Sequence, residues 1–176
     1  MLFLYKYYVC CQANSVRYLR LQGAKIGENC DLLCGLNGFS SSEPYLIELG
    51  NNVTLTQNVI LVTHDGGSRV FRHKHPNWHP GTGKYGKIII GDDVFIGVRT
   101  IILPDVKIGS NVVVGAGSVV TRDLPDNVVA VGVPAKVHCT LDDYIQRLVT
   151  TSITIPESEM TKKRSYLSKY YWGSER

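Results

Sequence analysis

The stretch that decides the fold is GKIIIGDDVFIGVRTIILPDVKIGSNVVVGAGSVVTRDLPDNVVAVGVPAK, at positions 86–136. A branched aliphatic residue returns there at every sixth position, six times in succession: Ile90, Ile96, Ile102, Ile108, Val114 and Val120. A period of six fits neither the 3.6-residue turn of an α-helix nor the simple alternation of a hairpin strand. The period indicates a repeat architecture in which each hexad is one structural unit.

The same period extends towards the N-terminus. Aliphatic residues keep the phase within two earlier blocks: Ile26 and Leu32, then Leu49, Leu55 and Leu61. Three places after each aliphatic residue stands a column of residues that tolerate positive φ: Asn29, Gly35, Asn52, Asn58, Asp93, Asp105, Asn111, Gly117 and Asp123. Arg99 breaks this column, and His64 occupies it in the hexad that starts at Leu61. The pattern therefore predicts that each hexad forms one short strand followed by one corner.

Three such hexads close a triangular coil of 18 residues, and successive coils stack by parallel strand pairing at roughly 4.8 Å. The aliphatic column then points inwards and forms a continuous apolar core that no single coil could bury. Segments without the period divide the chain into three parts. These are an N-terminal helical segment (1–22), the prism (23–140) with excursions at about 35–45 and about 65–87, and a C-terminal helical tail (141–176) with helices from Leu141 and over about 157–171.

Bulk composition predicts a folded soluble protein. Of 176 residues, 44% are apolar, and the net charge of +4 is not gathered into a basic stripe, so we expect no nucleic-acid partner. Five cysteines without a C-x-x-C spacing predict reduced thiols and a cytoplasmic protein rather than a disulfide framework. The apolar N-terminus is too short to span a bilayer, and we expect it to pack on the body rather than on a membrane surface.

Two stretches, EPYLIELGNNVTLTQNVILVTHDGG (43–67) and the 86–136 stretch, resemble the hexapeptide-repeat acyltransferase superfamily. The tail and the loop containing VFRHKHP are similar to bacterial acetyltransferases that act on capsule, O-antigen or exopolysaccharide. The resemblance implies an all-β fold, a left-handed parallel β-helix, although parallel crossovers are usually right-handed. It also implies a homotrimer with active sites between adjacent prisms, and acetyl-CoA in a groove along the C-terminal coils.

His64 is the predicted general base. Its imidazole is largely neutral near pH 7 and can accept the proton of a sugar hydroxyl, and VTHD matches the family's catalytic histidine. Asp65 could orient His64, contact the acceptor or serve as a turn residue.

The cofactor residues follow from the resemblance. Gly97 and Val98 would lie near the thioester, with the Val98 amide as an oxyanion donor. The others would line the rest of the acetyl-CoA groove: Ala116 and Gly117 at the pantetheine arm, and Thr121, Arg122 and Lys136 at the adenine and phosphates.

The long excursion is the predicted acceptor site, because long irregular loops in compact domains are usually functional. Trp78 would stack on a sugar ring and His79 would contact its hydroxyls. The alternatives are a metal site formed by His73, His75 and His79, or a solvated loop; our prediction assigns no metal.

The sequence thus predicts acetyl transfer from acetyl-CoA to a sugar hydroxyl of a polysaccharide or nucleotide-sugar precursor, in a ternary complex. N-acetylation of an amino sugar, a metal-dependent hydratase similar to the γ-carbonic anhydrases and a non-catalytic scaffold remain alternatives.

Overall fold

A computed structural model describes residues 15–34, 42–75, 79 and 82–173. These residues divide into two compact units, with the boundary between Tyr144 and Ile145. The strands all lie in the first unit. In chain order they are β1 (Lys25–Ile26), β2 (Asp31–Leu32), β3 (Ile47–Leu49), β4 (Thr54–Leu55), β5 (Ile60–Leu61), β6 (His64–Asp65), β7 (Lys84–Tyr85), β8 (Ile88–Ile90), β9 (Val94–Ile96), β10 (Ile101–Ile102), β11 (Val106–Ile108), β12 (Val112–Val114), β13 (Val119–Val120), β14 (Val128–Gly132) and β15 (Ala135–Thr140).

Three parallel sheets form the faces of a β-helix. The first face has the strand order β1-β3-β8-β11, the second β2-β4-β9-β12-β14-β15 and the third β5-β10-β13. All neighbours pair in parallel except β14 and β15, which form an antiparallel hairpin. The register confirms the predicted coil, because Ile88 pairs with Val106 and Val94 with Val112, each 18 residues further on.

The predicted aliphatic column forms the core. Its members are at most 8% exposed, and those from Leu55 to Val120 are 0–1% exposed: Ile26, Leu32, Leu49, Leu55, Leu61, Ile90, Ile96, Ile102, Ile108, Val114 and Val120. A second inward column, which begins the strands or directly precedes them, is equally buried: Val53, Val59, Val94, Thr100, Val106, Val112 and Ser118. The buried Ser118 hydroxyl donates to Gly115 O at 2.7 Å and accepts from Gly132 N, so this polar group is satisfied inside the column.

The corners differ in regularity. Between the first and second faces, five residues adopt positive φ and form what we call the ladder corner: Asn29, Asn52, Asp93, Asn111 and Asn127. Side-chain hydrogen bonds between successive coils join Asn29 to Asn52, Asn52 to Asp93, and Asn111 to Asn127. Between the second and third faces, Asn58, Arg99 and Gly117 also adopt positive φ, so Arg99 takes the corner conformation despite its side chain.

The third corner, between the third and first faces, is the irregular one, and we call residues 62–64, 103–105 and 121–123 the site corner. Only Asp105 has positive φ there. The prediction of a positive-φ corner was therefore wrong for His64 and Asp123, and Gly35 lies outside the described residues. At His64 the chain turns into a strand, because β6 pairs antiparallel with β7 and closes the base of the long excursion.

The described residues also include three α-helices. Residues 15–21 form α1, Leu141–Thr151 form α2, and Lys163–Trp172 form α3. A 3₁₀ segment, Glu157–Lys162, precedes α3, so the second tail helix begins later than predicted. Thr140 caps α2, since its Oγ1 accepts from Asp143 N and donates to the Asp143 carboxylate. Within the described ranges, no helix is long and apolar enough to cross a bilayer.

Candidate active site

His64 stands where the long excursion leaves the prism. On one side it follows β5, which is paired with β10. On the other side its own strand β6 places it opposite Tyr85, with the two ring centroids 6.1 Å apart. The backbone is thus held on both sides while the imidazole remains 42% exposed. A fixed and accessible imidazole is the geometry that proton transfer to or from a ligand requires.

The carboxylate at His64 belongs to Glu43, which ends the shorter excursion just before a 3₁₀ segment, Pro44–Leu46. Glu43 Oε2 lies 3.0 Å from His64 Nδ1 and accepts a hydrogen bond from Thr63 Oγ1 at 2.7 Å. Both Glu43 and Thr63 are buried. Because a carboxylate can only accept, the shared proton sits on Nδ1, and Nε2 of the neutral ring is left as the acceptor.

Three neighbours keep Glu43 ionised. Burial on its own raises the pKa of this carboxyl. The hydrogen bonds from Thr63 and His64, the positive charge that His64 can carry and a hydrogen bond from Ser42 outweigh burial, so the pKa of Glu43 lies below its usual value. An ionised Glu43 stabilises the imidazolium that forms when Nε2 takes up a proton.

The sequence suggested Asp65 as the partner of His64, and the structure places Asp65 differently. Asp65 Oδ1 accepts from the backbone N–H of Gly67 at 2.7 Å, as in an Asx turn that opens the excursion. Glu43 was missed because it lies in an irregular segment 21 residues before His64, where no periodicity places a side chain. The only available signal was its position in the first stretch of the resemblance, EPYLIEL.

His64 lines two cavities. One, of about 500 Å³, is bounded by the site corner through Val62, Leu103, Pro104 and Thr121, and we call it the coil-side cavity. The other, of about 220 Å³, is bounded by the excursion and is called here the excursion-side cavity. Two ligands could therefore approach one imidazole from different sides. Of the predicted cofactor residues, Thr121 lies beside His64 in this way, and Arg122 follows it as an exposed side chain.

Four predicted cofactor residues lie at the corner between the second and third faces. Gly97 stacks beneath Ala116, and a Cβ on Gly97 would lie 2.5 Å from Ala116 N, so the close approach of the two coils requires glycine. The next residues are linked as well, since Gly117 N donates to Val98 O at 2.8 Å. Gly117 has a φ of 71° and open space around its Cα.

Lys136 is linked to that corner through the pairing of β15 with β14. It is exposed on β15 and pairs with Val131 of β14, whose next residue, Gly132, donates its N–H to Ser118. The predicted site residues thus fall into two groups at opposite edges of the third face. Gly117 and Thr121 are four residues apart, which is roughly 13 Å along an extended chain.

The excursion residues are only partly described. Trp78 lies outside the described residues. His79 is exposed, and its carbonyl accepts from Thr82 N at 2.9 Å. Within the described part of the chain, no three histidine, cysteine, aspartate or glutamate side chains are grouped as metal ligands would be, so His73, His75 and His79 form no such site there.

Two of the described cysteines carry thiols with a raised pKa. Cys30, Cys34 and Cys139 are all free. Burial raises the pKa of Cys34 to about 11 and also raises that of Cys30. Both thiols therefore stay protonated near neutral pH, which excludes them as nucleophiles.

A three-faced parallel β-helix of hexads, interrupted by an excursion that carries a carboxylate-paired histidine, defines the class of hexapeptide-repeat transferases. Comparison with known proteins leads to the same class. Residues 87–122 match the family described as bacterial transferase hexapeptide (six repeats). Protein CapG of Staphylococcus aureus is 44% identical over 151 residues, which are 86% of this chain and 82% of CapG. The chain belongs to the hexapeptide-repeat acyltransferase family, whose fold is the left-handed parallel β-helix.

Two further similarities concern acetyltransferases. Galactoside O-acetyltransferase of Escherichia coli (strain K12) is 41% identical over 101 residues, 57% of this chain and 47% of that enzyme. This chain therefore spans about half of that relative's length. A hexapeptide-repeat acetyltransferase of Vibrio cholerae, solved in complex with acetyl-CoA, has 26% sequence identity and a TM-score of 0.50, over 68% of this chain and 61% of that one.

Proposed function

We propose that this chain transfers an acetyl group from acetyl-CoA to a hydroxyl of a sugar, with His64 as the general base. The observation that carries the proposal is the Glu43–His64 pair at the boundary of two cavities. The similarity to galactoside O-acetyltransferase supports a sugar acceptor, and the similarity to the acetyl-CoA complex supports the donor. The free thiols of Cys30, Cys34 and Cys139 fit a reducing compartment, and we propose the cytoplasm.

The residues of the site account for each proton in such a reaction. His64 Nε2 takes the hydroxyl proton as the sugar oxygen attacks the thioester carbonyl, and Glu43 stabilises the resulting imidazolium. When the carbon–sulfur bond breaks, His64 returns that proton to the departing thiolate, so the imidazole ends neutral. The products are an acetyl ester and free CoA, and no covalent enzyme intermediate is needed.

The donor would enter along the coils. The coil-side cavity, with Thr121 in its wall, would receive the thioester end beside His64. Thr121 would then lie nearer the thioester than the adenine and phosphates to which the resemblance assigned it. The second group of predicted residues, at Gly97 and Gly117, lies at the far edge of the same face. A neighbouring subunit that brought this edge next to His64 would complete the groove, and we therefore propose a homotrimer.

The third face carries a surface suited to such an assembly. Its outward positions form a column of half-buried branched aliphatics, Ile60, Ile101 and Val119, paired in register. Light scattering on the purified protein measures the assembly directly. We expect a mass near three times 19.5 kDa, and a monomer with full activity would contradict the shared groove.

The function is tested by thiol release from acetyl-CoA with a panel of free sugars, amino sugars, nucleotide sugars and polysaccharide repeats. We expect release with a hydroxyl acceptor, and His64→Ala should lower turnover by about 10²- to 10⁴-fold. His138→Ala is the matched control, since His138 is an exposed histidine on β15. CoA binding by His64→Ala should persist, and unchanged turnover in this variant would exclude His64 as the base.

The product distinguishes the alternatives. Hydroxylamine cleaves an acetyl ester and leaves an amide intact, so a resistant product would show N-acetylation instead. Absence of thiol release with every acceptor, from a folded protein that binds CoA, would contradict the enzyme and favour a scaffold.

A further inference from the structure

Three cations converge on the excursion-side cavity. Arg69 lies in the 3₁₀ segment Gly67–Val70, and the chain continues this turn as Arg72 N donates to Ser68 O at 2.9 Å. Arg69 and Arg72 both line the excursion-side cavity. Lys84 reaches the same cavity from β7, across the ribbon from Asp65.

Among the described residues, the three cations of this cavity face a single carboxylate. Among the described residues, Arg69, Arg72 and Lys84 form no ion pair within 4.0 Å. The one carboxylate in the wall is that of Asp65, which already accepts from Gly67 N. Like charges gathered in a concavity repel one another, and an anion bound between them relieves this repulsion.

We propose that the acceptor is anionic and that Arg69, Arg72 and Lys84 bind its phosphate or carboxylate group in the excursion-side cavity. This inference rests on the proposed function and names the chemical class of its acceptor. A planar guanidinium matches a phosphate or a carboxylate with two parallel N–H donors, and two such groups on one turn fix the orientation of the anion. The hydroxyl to be acetylated would then lie on the same ligand, next to His64.

The position of the cavity assigns it to the acceptor rather than to the donor. Arg69 and Arg72 line only the excursion-side cavity, whereas Thr121 lines only the coil-side cavity. Lys84 lines both and is therefore left unchanged in the test. Arg69→Gln and Arg72→Gln remove charge from one side of His64 without touching the other.

Binding is tested first, without turnover. Thermal shift and calorimetry with pyrophosphate and with glucuronate measure anion binding by the wild-type protein, by Arg69→Gln/Arg72→Gln and by Lys107→Gln. Lys107 is an exposed cation on the first face and serves as the control. We expect binding that weakens with salt and falls by about 10- to 100-fold in the double variant only. Equal binding by all three proteins, or none, would overturn the anion site.

Kinetics then separate this inference from the function itself. Thiol release is measured with methyl glucoside, which is neutral, and with glucuronic acid, glucose 1-phosphate and UDP-glucose, which carry different anionic groups. We expect anionic acceptors to be preferred, and the double variant to raise their KM by about 10- to 100-fold with the KM of acetyl-CoA unchanged. The member with the lowest KM identifies a carboxylate or a phosphate as the natural group.

Each negative result has one meaning. Equal turnover of neutral and anionic sugars would leave the acetyltransferase intact and refute the anionic acceptor. A rise in the KM of acetyl-CoA in the double variant would show that the cavity holds CoA phosphates instead. Anion binding that depends on Arg69 and Arg72, without thiol release from any acceptor, would keep the anion site and refute the proposed function.

Discussion

The ladder corner and the site corner are built on the same hexads but serve different purposes. At the ladder corner every coil ends in an Asn or Asp with positive φ, and side-chain hydrogen bonds link Asn29 to Asn52 and Asn52 to Asp93. At the site corner only Asp105 keeps that conformation, and the chain leaves the column at His64. The ladder side chains thus bond mainly to one another, whereas the interruption at the site corner leaves the His64 imidazole exposed.

The largest expected effect is on stability at the ladder corner. A Cβ on Gly91 would lie 2.8 Å from Gly109 C and from Ser110 N, which are backbone atoms of the next coil. Gly91→Val must therefore separate two coils, and we expect a loss of about 3 kcal/mol in the free energy of unfolding. For a chain of this size, thermal unfolding should show Tm lower by roughly 6–12 °C.

The matched control is Gly66→Val at the base of the excursion. A Cβ on Gly66 meets no atom within 4 Å, and its φ is −83°. Its stability should stay within about 0.5 kcal/mol of the wild-type protein. If both variants lost the same stability, the two regions would not differ in packing as the structure indicates.

A smaller effect is expected at Glu43, and it should fall on catalysis. Glu43→Gln keeps the shape of the side chain but removes the charge that faces the imidazolium. A hydrogen bond to a charged group contributes about 1.5–3 kcal/mol, so kcat should fall by about 10- to 100-fold. KM for acetyl-CoA should not change, because Glu43 lines neither cavity.

Glu48→Gln is the control for this substitution, since Glu48 is an exposed glutamate paired with Lys25. It should leave kcat unchanged. An equal loss in KM and kcat for Glu43→Gln would indicate a general disturbance of the site rather than the loss of a charge beside His64.

The contrast also explains which features the sequence predicts. The columns are predictable because each hexad repeats the same two local requirements, an apolar residue that faces inwards and a residue that tolerates positive φ. The stacking of Thr121 on Leu103, and of Leu103 on Val62, follows from the same columns. Each of the three comes one place after a buried aliphatic of the third face: Val120, Ile102 and Leu61. These relations depend only on the period.

The contacts that the two excursions make cannot be predicted from the period. Glu43 meets His64 because two irregular segments of different length end at one corner, and neither length is encoded in the period. Strands β6 and β7 have only two residues each, so they are too short to show an alternating apolar and polar pattern in the sequence. The prediction of positive φ at His64 failed because its backbone conformation is set by the antiparallel pairing of β6 with β7 and not by the coil.

The smallest effect is a pH dependence of stability that should be confined to the site corner. The folded protein holds the pKa of Glu43 below its usual value, because the hydrogen bonds from Thr63 and His64 and the charge of His64 outweigh its burial. A carboxyl with a lowered folded-state pKa contributes stability that is complete above its unfolded-state pKa, about 4.3, and that is lost as the pH falls through the folded-state value.

The difference in unfolding free energy between the wild-type protein and Glu43→Gln should therefore be constant from pH 8 to about pH 6, and should shrink below about pH 4.5. Urea unfolding at each pH measures this difference, and Glu48→Gln should show no comparable trend. A difference that instead grew as the pH fell below about 4.5 would mean that folding raises the pKa of Glu43, and Glu43 would then be unsuited to stabilising the imidazolium of His64.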